Sequence, residues 1–218
     1  MTRPDPSCVV KVAGGRGFIY EQRISRKGPL KRGTGLRLRP FIEIRRIVTA
    51  AHCLPNLPRA HAASLWHERT YRKLLGSLDS SKNEIAAECQ FVDPIADIAV
   101  LGRPDGQEPE LYEDATAYDE LVDNAPAPRI AEARSGPGWV LALDKPRWVR
   151  TTLRVIVGIY SVSLEMGPNE PGMSGSPILN DAGRAVGIVS VGEESEGKNE
   201  RSAQQPILLR DLPRRMLA

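Results

Sequence analysis

Long hydrophobic runs are absent. No stretch of about 18 apolar residues occurs in this 218-residue chain, so no segment is expected to cross a membrane as a helix. Cysteine is scarce: Cys8, Cys53 and Cys89 form an odd set without the spacing of a metal site. The opening sequence, MTRPDPSCVVKV, holds neither a sustained apolar run nor a small-residue cleavage site, so a secretory leader is not expected. Free thiols without a leader make a reducing, cytoplasmic setting the expectation. No fixed-period repeat or low-complexity tract interrupts the chain. A formal net charge of +3 is too small to argue for a nucleic-acid partner.

What remains is ordinary globular material, with 41% hydrophobic and 26% charged residues and a length suited to one two-lobed unit. Nineteen glycines and 18 prolines punctuate it often, which favours many short strands joined by turns. Strand-like runs fall at residues 8–13, 17–20, 41–49, 85–92 and 98–101, and again at 139–143, 148–160, 178–179 and 185–191. Between them, residues 104–136 are acidic and rich in Pro and Ala, and read as a crossover. Leu111, Ala115, Tyr118 and Val122 stand there at helical spacing. A last short helix is expected within 208–217, with Pro213 near its start. The pattern gives an all-β class and three regions: 1–103, 104–136 and 137–218.

Charge is unevenly spread. Arg23, Arg26, Lys27, Lys31, Arg32, Arg37, Arg39, Arg45 and Arg46 face only Glu43 in their stretch, whereas 105–123 carries acids and no base. Solvated loops or strand edges explain both stretches most simply. A polyanion surface is the sharper alternative, but the basic stretch has no Trp and no recognition-helix pattern. No nucleic-acid partner is therefore expected.

Three segments carry candidate chemistry: Val48-Thr49-Ala50-Ala51-His52-Cys53, Ala96-Asp97-Ile98-Ala99-Val100-Leu101, and Pro171-Gly172-Met173-Ser174-Gly175-Ser176-Pro177. Singly, each has a bland reading. A histidine after an apolar strand is usually structural, an Asp before one is often a cap, and Gly-x-Ser-Gly is a common turn. In the order His, Asp, Ser they read differently. A serine hydroxyl needs a base within hydrogen-bond reach to become a nucleophile. Imidazole suits because it can take the proton and return it to a leaving amine. A carboxylate fixes the ring's tautomer and steadies its charged form. The small Ala50 and Ala51 would let the histidine loop pack closely.

TAAHC, DIAVL and GMSGSP resemble the three signature blocks of the chymotrypsin-like serine proteases. GRGFI at 15–19 is similar to the family's early glycine-rich turn, and Ser190-Val191-Gly192 to its substrate-binding strand. The likeness is nearer to the bacterial, high-temperature-requirement type than to digestive trypsins. It implies two six-stranded antiparallel β-barrels side by side, with His52 and Asp97 on the first, Ser174 on the second and the site between them. It implies proteolysis through Ser174, with His52 as base and Asp97 orienting it. The N–H groups of Gly172 and Ser174 would form the oxyanion hole. Protein or peptide substrates follow, with no metal or cofactor. Asp97 would raise the His52 pKa and burial would lower it, so a value of roughly 6–7 is expected.

Two departures from the family pattern matter. No cysteine lies at 37–51 to pair with Cys53, and Met173 stands where zymogen-type relatives carry the Asp of an activating ion pair. Activation by N-terminal processing is not expected. The site forms on folding or is ordered by a regulatory protein partner. The specificity pocket would have Pro168 at its base with Asn169 beside it, so no Asp supports a trypsin-like preference. Glu193 and Glu194, in a polar loop after the binding strand, read most simply as solvated; attraction of a basic side chain is the alternative. The competing function is an inactive or conditionally active relative serving as a binding module.

Overall fold

The computed structural model describes residues 5–25, 41–58, 66–105, 108–143, 146–156, 161–164, 172–190, 207–209, 212–213 and 216. A first antiparallel sheet is built from β1 (Val9–Val12), β2 (Gly15–Ser25), β3 (Phe41–Ala50), β4 (Thr70–Ser77), β5 (Ile85–Asp93) and β6 (Ile98–Gly102). Its order is β1-β2-β3-β6-β5-β4, and β4 pairs back to β1, closing a six-stranded barrel. Closure removes the free edges that a short-stranded sheet would otherwise expose. Phe18, Ile19, Ile47, Val48, Leu75, Val100 and Leu101 are buried in its core. A single turn of helix, α1 (Trp66–Arg69), precedes β4.

Helix α2 (Tyr112–Asp123) lies in the expected crossover. Its buried residues are Ala115, Tyr118 and Val122, three of the four positions read from the spacing; the fourth, Leu111, is buried just before its first turn. This acidic helix meets part of the basic stretch. Arg45 on β3 donates from Nη1 to the carbonyls of Val122 (2.5 Å) and Ala125 (2.7 Å), a cation at the negative end of the helix. Arg103 and Asp119 pair at 2.7 Å. Charge asymmetry here joins a helix to a barrel wall. Residues 26–40, which hold most of the other bases, lie outside the described residues.

The second sheet is also antiparallel. It comprises β7 (Gly136–Leu141), β8 (Trp148–Ile156), β9 (Ser161–Leu164), β10 (Pro177–Asn180), β11 (Ala185–Ile188) and β12 (Ile207–Leu208). Four strands form its body in the order β11-β10-β7-β8. Strand β9 extends β8, while the two-residue β12 pairs with β11 and meets β9 at the single pair Ile207↔Ser161. Val140, Leu153, Met173, Ile178, Val186 and Val189 cluster beneath it. Half of the expected C-terminal helix falls outside the described residues, and its first residue, Leu208, belongs to strand β12 instead. Leu209, Leu212 and Met216 are buried there, and the Met216 carbonyl accepts a 2.9 Å bond from the Tyr20 hydroxyl. Among the described residues no helix is long and apolar enough to cross a membrane.

Candidate active site

Strand register brings the histidine and aspartate segments together. Ala50 at the end of β3 pairs with Ile98 at the start of β6, so the residues just beyond each strand become neighbours. The Ala51 N–H donates to the Asp97 carbonyl at 3.1 Å. A short 3-10 turn over Ala51–Cys53 then presents His52 to solvent, while Ala51 and Cys53 stay buried. Ala50 and Ala51 are fully or nearly fully enclosed, which fits their small size. Asp97 itself has φ +49°, in the left-handed region that Asp tolerates better than most side chains.

The carboxylate of Asp97 is held by three donors. His52 contributes its backbone N–H to Oδ1 at 2.9 Å and its Nδ1 to Oδ2 at 2.7 Å. Ser190 donates its hydroxyl to Oδ2 at 2.5 Å. Burial is the largest influence on Asp97 and raises its pKa. The bonds from the His52 ring, Ser190 and the His52 N–H together outweigh burial and hold the acid below its ordinary 3.8. His52 is pushed up from 6.5 to about 10, first by the Asp97 carboxylate, then by the Cys53 side chain, with burial opposing. The expected near-cancellation is therefore corrected. The ring keeps 42% of its side-chain surface in solvent, so the hydrogen bond to Asp97 outweighs desolvation.

Ser174 comes from the other sheet. It stands in the turn before β10, 4% exposed. Met173 beside it is fully enclosed in the apolar cluster of the second sheet, which explains an apolar residue at that position. The turn is tied to its own sheet by Gly175 N–H to the Val189 carbonyl (2.7 Å). It is tied to the first barrel by Arg16 N–H to the Ser174 carbonyl (2.7 Å). Gly172 and Gly175 have φ of +93° and +82°. A Cβ on Gly175 would stand 1.8 Å from the Arg16 carbonyl oxygen and 2.7 Å from Thr49 Oγ1, so no side chain fits there. Among the described residues the N–H groups of Gly172 and Ser174 have no backbone acceptor, and no hydrogen bond joins the His52 ring to Ser174.

Of the residues singled out in the sequence, His52, Asp97, Gly172, Ser174 and Ser190 lie in described segments. Of these, His52, Asp97 and Ser190 are joined by direct bonds. Ser190, read as part of a substrate-binding strand, also turns its hydroxyl to Asp97. Val191, Gly192, Pro168 and Asn169 lie outside the described residues, as do Glu193 and Glu194. Sequence reasoning missed Arg16, Thr49 and the Asp97 contact of Ser190. Only the placing of a lone Arg between Gly15 and Gly17 could have drawn attention to the first. A cleft of about 550 Å³ opens beside Gly172, lined by Gly14, Arg16, Asn83, Leu143 and others.

A family model described as a trypsin-like peptidase domain matches residues 33–188. A comparison with curated proteins finds no match. Among solved structures, the chain is similar to a human pathogenic astrovirus serine protease, with 15% identity, TM-score 0.49, and coverage of 95% of this chain and 92% of that one. It is similar to the Rv3671c protease of M. tuberculosis in its inactive form, with 18% identity, TM-score 0.46 and coverage of 93% and 83%. The HtrA-type protease AlgW with a decapeptide matches at 17% identity and TM-score 0.46; 95% of this chain spans 62% of that one.

Proposed function

The chain belongs to the trypsin-like peptidase family, and from that premise we propose that it is a serine endopeptidase acting on proteins or peptides. The observation that carries the proposal is the 2.7 Å contact of His52 Nδ1 with Asp97 Oδ2. With Nδ1–H fixed on the carboxylate, Nε2 is left as the basic nitrogen. It takes the Ser174 proton as Oγ attacks the substrate carbonyl carbon. The resulting oxyanion is received by the N–H groups of Gly172 and Ser174. Collapse breaks the C–N bond, His52 returns its proton to the leaving amine, and an acyl-ester remains on Ser174. Water, deprotonated by His52, then attacks the ester and releases the acid. Unbonded His52 and Ser174 do not oppose this, because such contacts often tighten only with substrate in place.

In this reading residues 1–103 and 137–218 are two lobes joined by a crossover at 104–136, and β12 closes the second sheet into a six-stranded barrel. Val191, Gly192, Pro168 and Asn169 would line the acyl-side specificity pocket. Three buried, unpaired thiols support a reducing, cytoplasmic setting. The test is a fluorophosphonate. It should form one adduct, mapped by peptide sequencing to Ser174, and block cleavage of a denatured protein. A modified residue elsewhere, with cleavage intact, would overturn the assignment. The missing His52–Ser174 bond favours one second reading, a site ordered by a regulatory protein. Labelling only after that protein is added would support it.

A further inference from the structure

Arg16 is 5% exposed, and a guanidinium is unfavourable to bury unless its donors are satisfied. Its Nη1 donates to the carbonyls of Leu141 and Ala142, each at 3.1 Å, and its Nη2 to that of Leu143 at 3.3 Å. One side chain of the first barrel thus binds three successive carbonyls at the end of β7. Its main chain is engaged too. The N–H donates to the Ser174 carbonyl and the Arg16 carbonyl accepts the Thr49 hydroxyl, both at 2.7 Å. Leu143, the last residue of the clamped segment, packs over Gly172; a Cβ there would meet Leu143 Cδ1 at 3.5 Å.

We propose that Arg16 is a positioning residue for hydrolysis, fixing Gly172 through Leu141–Leu143 and Ser174 through its own N–H, so that both oxyanion donors keep one geometry. This rests on the reading of those donors above. Both halves of the hole belong to a turn of the second sheet, yet Arg16 of the first barrel holds that turn directly at the Ser174 carbonyl and, through Leu143, beside Gly172. A flat fork of donors is what three adjacent carbonyls require. A lysine ammonium on a flexible stem cannot span them in one plane. Loosening the clamp would shift the donors relative to the developing oxyanion and weaken binding of the transition state more than that of the substrate.

The experiment compares wild type, Arg16→Lys, Arg16→Gln and Leu143→Ala after titrating active sites with a fluorophosphonate. For each we would measure kcat and KM on one peptide and the Ki of a peptide boronic acid. Per titrated site, the Arg16 variants should lose about 10- to 100-fold in kcat with KM near wild type, and Ki should weaken by the same factor. A purely structural role would lower melting temperature and the titrated fraction but leave kcat per site and Ki unchanged; that result overturns the proposal. Should the Arg16 variants fail to fold, Leu143→Ala decides, since it keeps the carbonyls that Arg16 binds. It should lose kcat and Ki together by a smaller factor, and unchanged values refute the link. Wild type that neither cleaves nor titrates sinks the catalytic reading itself. Active wild type with unchanged variants sinks only the role of Arg16.

Discussion

Asp97 shows how one residue is specified by several others. Its backbone is in a sparsely populated region and its carboxylate accepts from the His52 N–H, the His52 ring and Ser190. Strain of that kind persists where surrounding bonds over-determine it. Each donor should therefore leave a separate trace. Ser190→Ala removes one hydrogen bond to a charged group, worth about 1.5–3 kcal/mol, while the two from His52 remain. We expect kcat/KM to fall roughly tenfold, with His52 still bonded to Asp97. Ser174→Ala is of another order. It deletes one hydroxyl from a turn held by backbone bonds, so circular dichroism and melting should be unchanged while cleavage falls to a residual trace. Appreciable turnover by Ser174→Ala would remove that residue from the mechanism.

The turn at 172–176 acts as an element because both sheets hold it, and its glycines record that confinement. Gly175→Ala would drive a methyl into the Arg16 carbonyl and require a left-handed backbone of a residue that resists it. Destabilisation of more than about 1 kcal/mol is expected in urea melts, together with slower phosphonate labelling at Ser174. Unaltered labelling would show that the turn tolerates displacement. Reading these elements from sequence worked where local pattern and burial agree. Residues 41–49 and 98–101 gave β3 and β6, and the apolar spacing at 111–122 gave α2. Strand β4 went unread because TYRKLLGS does not alternate. Its pairing with β5 shifts between Tyr71 and Leu75, and Lys73 adopts φ +56°, a bulge that breaks the period of two. His52, Asp97 and Ser174 stood out as short segments in order, and the structure brings the first two into contact, whereas Arg16 did not stand out. Its role depends on carbonyls 125 residues or more away, and nothing local encodes that distance.

At the scale of the molecule, the site joins two sheets without a disulfide. Cys8, Cys53 and Cys89 are unpaired and buried, so dithiothreitol should leave activity and melting temperature unchanged; a drop in both would contradict the free-thiol assignment. The ion pair between the loops has a pH signature that sets stability against activity. His52 has a folded pKa raised from 6.5 to about 10, so its stabilisation is fully present below 6.5 and is lost as pH rises through about 10. Asp97 is lowered from 3.8, so its contribution is present above that value and fades as pH falls through the folded value. The pair therefore contributes most between those two unfolded values. The proposed mechanism needs the neutral ring, which accumulates only as pH climbs through the raised value. Hence kcat/KM should increase on the alkaline side of 6.5 while the pair's share of stability declines. The measurement is kcat/KM and urea midpoint from about pH 5 to 10 for wild type and Asp97→Asn, the difference isolating this pair from the other titrating groups. Asn cannot hold the charged ring, so the variant's acid limb should move back toward an ordinary imidazole value and its stability difference should shrink as pH rises. An acid limb at the same pH in both proteins would mean that Asp97 does not set the protonation of His52.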